Sequence, residues 1–186
     1  MSSSHRRLSL RAPLKTFVLY DDDHFGFKAK AINISVSGLL LENLPHVPEV
    51  SALYLLLDLP QFPHFQSLGN EKIKKLDALS FPRKIIRAKS KIIRSFEGQT
   101  EVDKIFIQKI GLEFVDLSQE KKDHIESYVT TFTKNIIYLL SLFESGTQTQ
   151  NEVLYHASKI LGYTADKNLA NLRQKILHDY QSLEGL

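Results

Sequence analysis

As far as Phe114, apolar and polar positions alternate in short runs broken by turn residues; beyond Gln119 the period lengthens to that of a helix. Lys15–Tyr20 is rich in β-branched and aromatic residues, Asp21–His24 reads as a turn, and Gly26–Ile32 follows as a second strand. That pair predicts a hairpin. After the polar bend Asn33–Gly38, the run Gly38–Glu42 is short and strongly apolar, Pro45 and Pro48 end it, and Ser51–Leu59 is the next strand. Residues 60–82 carry two early prolines, a Gly69-Asn70 turn and an amphipathic patch over Glu71–Leu79, which fits a short helix or an exposed loop. Arg83–Phe96 alternates basic with apolar residues, Glu97-Gly98 reads as a turn, and Ile105–Phe114 is the last strand. Six or seven strands without a long helix between them predict an antiparallel barrel.

Ser118 is placed to cap a helix from Gln119, in which Ile125, Tyr128, Val129, Phe132, Ile136, Leu139, Leu140 and Phe143 share one stripe until Gly146. A second helix is expected over Asn151–Leu161, ending at Gly162, and a third from about Asp166 to Leu183 behind a Thr164 cap. The fold class is therefore mainly β plus α, a barrel followed by a C-terminal module of about three helices. The stripe has two uses open to it: packing inside the chain, or a homo-oligomer formed through the helices, with Tyr155, Tyr163 and Tyr180 available to dock a protein partner.

Composition narrows the setting. No cysteine occurs among the 186 residues, which excludes disulfides and thiolate metal sites and suits a cytoplasmic location. Neither a leader pattern nor a membrane span is legible. The net charge of +3 lies in the first part of the chain, where residues 1–118 hold 17 basic against 13 acidic side chains. A modest excess suits a small anionic ligand better than a nucleic-acid duplex, which calls for a denser basic face.

Two stretches carry the candidate chemistry. His5-Arg6-Arg7-Leu8-Ser9-Leu10-Arg11 places three guanidinium groups ahead of the first strand, and guanidinium binds phosphate as a planar fork. Asn33-Ile34-Ser35-Val36-Ser37-Gly38 sets carboxamide, hydroxyl and backbone N–H groups in a bend. Arg7 and Arg11, four apart on an extended segment, point to one side; Asn33 and Ser35, two apart, share a face.

In this order and spacing, Arg7-x-x-x-Arg11 and Asn33-x-Ser35-x-x-Gly38 resemble the two-part signature of PilZ domains, receptors for cyclic di-GMP, and Ile110–Ser118 is similar to the closing strand of such domains. The resemblance covers roughly residues 5 to 130. It implies a PilZ-like barrel over 14–118 with 60–82 as an insertion, a flexible basic arm over 1–13, and a helical extension over 119–186. It also implies a cyclic di-GMP site made by Arg7, Arg11, Asn33, Ser35 and Gly38, with Arg6 beside the pair marking two ligand molecules per site. Two phosphodiesters and two guanine O6/N7 edges are what such arginines recognise. Ligand would order the arm against the barrel, and the ligand state would pass to a protein partner.

Other readings of the sequence stay open beside this one. Asp21, Asp22 and Asp23 fit a solvated turn better than a metal site, and the seven histidines show no metal-ligand spacing. No nucleophile elbow, phosphate loop or cysteine nucleophile is present, so an enzyme has no positive signal. The basic residues Arg83, Lys84, Arg87, Lys89, Lys91 and Arg94 fit a solvent-facing strand side that resists edge pairing, with a ligand-contacting arginine among them as the alternative. Two further functions compete: a nucleic-acid-binding regulator reading DNA through residues 147–186, and a PilZ-type fold used only for protein interaction.

Overall fold

The computed structural model describes residues 9–22, 25–45, 48, 50, 52–99, 106–145, 148–163 and 168–184. Arg6 and Arg7 lie outside the described residues. The chain divides into two compact units, one made of Pro13–Leu59 with Arg83–Glu126, the other of Pro60–Pro82 and Ser127–Leu186 with the residues up to Ala12.

The first unit is the barrel. Its strands are β2 (Phe17–Asp22), β3 (Phe25–Ser35), β4 (Gly38–Glu42), β5 (Ala52–Pro60), β6 (Arg83–Gln99) and β7 (Phe106–Val115), preceded by the two-residue β1 (Ala12–Pro13). The sheet runs β1-β3-β2-β5-β6-β7-β4, and β4 also pairs with β3. That last pairing closes six strands into a ring, so none of the six is left with an open edge. The pairs β2–β3, β2–β5, β3–β4, β4–β7 and β6–β7 are antiparallel. β5 shows why: Leu53, Leu55, Leu57 and Leu59 are buried while Tyr54 and Leu56 face out, a period-two pattern that fills the barrel from one side of the strand. Each such leucine contributes about 1.5–3 kcal/mol on burial.

Three sequence expectations change in the structure. Glu97 and Gly98 do not turn; they stay in β6, opposite Gln108 and Ile107, because the β6–β7 ladder continues to the pair Gln99–Phe106. Within the span expected as a basic arm, residues 1–13, the apolar Ala12 and Pro13 are buried, as is Leu14 just after it, which donates its N–H to the Ile32 carbonyl at 3.1 Å. Arg11 itself is held through its backbone, whose N–H meets the Leu183 carbonyl at 3.2 Å. Finally, the third helix starts later than Asp166. It is capped by Asn168, whose Oδ1 accepts from the N–H groups of Ala170 at 2.9 Å and Asn171 at 3.4 Å, while Thr164 lies outside the described residues.

The second unit gathers α2 (Gln119–Ser145), which begins in the first, with α3 (Gln148–Ile160) and α4 (Leu169–Glu184). The segment 60–82, expected as an insertion of the barrel, packs here. It holds α1 (Asn70–Lys74) and two short 3₁₀ turns, and its aromatics cover the α2 stripe: Phe62 lies 5.9 Å from Tyr128 and 6.3 Å from Phe132, and Phe65 lies 6.4 Å from Tyr138. The stripe is thereby used inside the chain.

Asn135 locks that packing. Buried on α2, its Oδ1 accepts from Phe65 N–H and its Nδ2 donates to the Pro63 carbonyl, both at 2.9 Å. Leaving a buried N–H or carbonyl unmatched costs about 1–3 kcal/mol each. Asn135→Ala is therefore expected to lower stability by about 2–4 kcal/mol in urea denaturation. A loss below about 1 kcal/mol would show that the aromatic contacts hold the segment alone. Elsewhere in this unit Tyr163 donates to Asp179 at 2.7 Å, and burial, with the neighbouring carboxylate, pushes the phenol's pKa far up, so the O–H remains a donor at any ordinary pH.

Candidate functional site

The polar bend owes its direction to one extra residue in β3. Ala31 pairs with Leu41 but Asn33 with Leu40, so Ile32 is a β-bulge. Before the bulge Ala29 and Ala31 point into the barrel; after it Ile34 does. Without the extra residue, strict alternation would have sent Asn33 and Ser35 inward. With it, both leave the core face and Ile34 fills the interior instead.

Beyond the bulge the chain turns sharply from β3 into β4. Ser35 is buried, and its hydroxyl is engaged within the bend: its Oγ lies 3.1 Å from Ser37 Oγ and 3.3 Å from the Gly38 carbonyl. Ser37 in turn accepts the Phe114 N–H at its carbonyl, tying the bend to the last strand. Gly38 sits opposite Glu113, so close to β7 that a Cβ would run into the Leu112 carbonyl oxygen. Only glycine fits there, for the sake of strand pairing.

Lateral pairing extends the bend into a surface. Reading across β3, β4, β7 and β6, Asn33 lies opposite Leu40, Leu40 opposite Gly111, and Gly111 opposite Arg94. Paired residues point to the same face. The next row, Ile34, Leu39, Leu112 and Ile92, faces the interior, where its first three members are buried, so the Asn33–Arg94 row is on the outside. The rows on either side place Lys30, Glu42 and Lys109, and Gly38, Glu113 and Lys91, on the same outer face.

Electrostatically this face is cationic with two carboxylates inside it. Lys30 and Lys109 flank Glu42 at 2.7 and 3.8 Å, and Lys91 meets Glu113 at 2.7 Å. Arg94 is exposed, and its stem lies along Gly111: a Cβ at residue 111 would stand 2.8 Å from Arg94 Cγ and 3.4 Å from Cδ and Nε. Gly111 is buried although its row faces out, because this stem covers it. The face offers an apolar shelf at Leu40, amide and carbonyl groups of Asn33, and positive charge around both.

The structure thus brings Asn33, Ser35 and Gly38 together in one bend and places the Arg11 backbone against α4. Leu40 and Gly111 were not among the residues expected at the site. Their signal was present in the register alone, which becomes visible once the bulge is located. A separate groove of about 450 Å³, lined by Leu19, Tyr54, Leu56, Phe25 and Arg87, contains none of the expected residues. Among the described residues no helix is long and apolar enough to cross a membrane, and no three His, Cys, Asp or Glu side chains gather as a metal site.

A closed six-stranded antiparallel barrel with an Asn-x-Ser-x-x-Gly bend between β3 and β4, and helices after its last strand, is the arrangement that the sequence resemblance to PilZ domains implies. Among solved structures the chain is similar to the Bacillus subtilis inhibitor of motility MotI/DgrA, at 16% identity and a TM-score of 0.49, over 67% of this chain and 50% of that one. It is similar as well to the PilZ domain of Escherichia coli YcgR with c-di-GMP, at 11% identity and a TM-score of 0.44, over 68% and 91%. The K. pneumonia MrkH–c-di-GMP complex matches at 12% identity and a TM-score of 0.45, over 75% and 53%. This chain spans about half the length of the motility inhibitor and of MrkH. No family model matches the sequence, and no curated protein matches it significantly.

Proposed function

We propose that this chain is a cytoplasmic, non-enzymatic receptor for cyclic di-GMP, and that its ligand lies on the outer face of the barrel at the Asn33–Gly38 bend. The observation that carries this reading is the bulge at Ile32, which turns Asn33 outward beside a cationic surface and does so in the sequence pattern Asn33-x-Ser35-x-x-Gly38. Asn33 addresses a guanine edge through a carboxamide with both donor and acceptor. Ser35 and Gly38 shape the backbone that presents it. Arg7 and Arg11 supply the forks that a phosphodiester or a guanine O6/N7 edge requires, and Arg6 supports a pair of ligand molecules.

Binding orders the residues ahead of Arg11. Fixing each costs about 1–2 kcal/mol of backbone entropy, which charge-assisted hydrogen bonds of about 1.5–3 kcal/mol each offset. The ordered segment is the state that a protein partner reads.

Isothermal titration with cyclic di-GMP, using GTP and cyclic di-AMP as controls, tests the reading. Saturable heat with cyclic di-GMP alone, at two molecules per chain, is the expected result. Absent heat together with salt-sensitive retardation of duplex DNA would replace the receptor by a nucleic-acid-binding regulator. Absent heat without DNA binding would leave a barrel used for protein interaction only.

A further inference from the structure

On the proposed function rests one deeper step: we propose that Arg94 is a ligand-binding residue, closing the far side of the site from Asn33. β3 and β6 are three strand spacings apart in this row, about 14 Å between Cα atoms. A cyclic dinucleotide lying on the Leu40 shelf would span that interval, with Asn33 at one edge. Arg94 stands at the other edge, and its side chain does not project straight out from β6. Its Cγ, Cδ and Nε run along the Gly111 backbone, one strand closer to the shelf.

Two local features produce this path. Ile92 pairs with Leu112 but Arg94 with Gly111, so Ile93 is a second bulge, and it sets residue 94 on the outer row instead of the interior. Gly111 then leaves a channel with no side chain, into which the arginine stem fits. Arg94 thus brings a planar fork to a shelf that is otherwise lined by lysines, and the fork makes the two-point contact with phosphate or guanine that lysine cannot make.

The test is a double-mutant cycle on cyclic di-GMP affinity. Arg94→Ala should weaken binding about tenfold, as loss of a charge-assisted contact does, and Arg94→Lys should recover only part of it. Gly111→Ala should weaken binding similarly, because the new methyl group displaces the stem, yet it should cost almost nothing further in the Arg94→Ala background. Melting temperatures of all variants report folding separately. If the wild type binds and Arg94→Ala binds equally well, Arg94 has no part in the site while the receptor reading stands. If Gly111→Ala costs as much without Arg94 as with it, the glycine acts on its own and the proposed path of the arginine is wrong. If the wild type binds no cyclic di-GMP, the receptor reading falls and this inference with it.

Discussion

Replacing Arg11 or Arg7 by alanine is expected to weaken cyclic di-GMP binding about 100-fold, since each removes a bidentate contact of about 1.5–3 kcal/mol and strands a charged partner. The same changes should leave the free protein's melting temperature within about 2 °C of the wild type, a shift that corresponds to less than 1 kcal/mol in a chain of this size. For Arg11 the structure gives the reason. The backbone N–H that it donates to the Leu183 carbonyl is a tie to the fold that alanine keeps. Titration and thermal melts of each variant check the pair of expectations together. A fall of 10 °C without ligand would make Arg11 a structural residue, with its effect on binding a consequence of unfolding.

Gly38→Ala should act in the opposite way, through the fold first. Its methyl group would meet the Leu112 carbonyl across the β4–β7 pairing, and because the obstacle is backbone, the two strands must part. Overpacking of this kind costs about 1–3 kcal/mol, and strand separation at the closure of the barrel puts the change at the upper end. The melting temperature should fall by about 5–10 °C, and cyclic di-GMP affinity should fall with it, because Leu40 and Asn33 lie in the next outer row. Thermal denaturation separates this from a direct ligand role: a Gly38→Ala protein that melts like the wild type but no longer binds would show that the glycine is needed for the approach of the nucleotide.

The contrast between these two residues marks how much of the site was legible beforehand. Arg11 and Asn33 stand out because their chemistry is carried by the side chain and is visible in any order of residues that repeats a known spacing. Gly38 was grouped with them as a ligand residue, and the structure adds a different necessity, the approach of β7, which no local pattern around residue 38 announces. Ser35 is similar: its hydroxyl is spent on Ser37 and the Gly38 carbonyl, within the bend. Phe62 and Phe65 escaped the sequence reading altogether. They sit among prolines in a segment without period, and their role depends on Tyr128, Phe132 and Tyr138 more than sixty residues away.

By itself the sequence determined the order and type of the elements, since strand alternation, the change to helical period at Gln119 and the turn residues between them are all local signals. It also carries the residues proposed for the site, three arginines and an Asn-Ser-Gly bend. Tertiary structure alone decided that residues 60–82 pack with the helices, that the β6–β7 hairpin runs on past Gly98, and that Asn33, Leu40, Gly111 and Arg94 form one outer row. The physical reason is register: a single extra residue at Ile32 or Ile93 reverses which face every later side chain occupies, and only the pairing with the neighbouring strand shows where that residue falls.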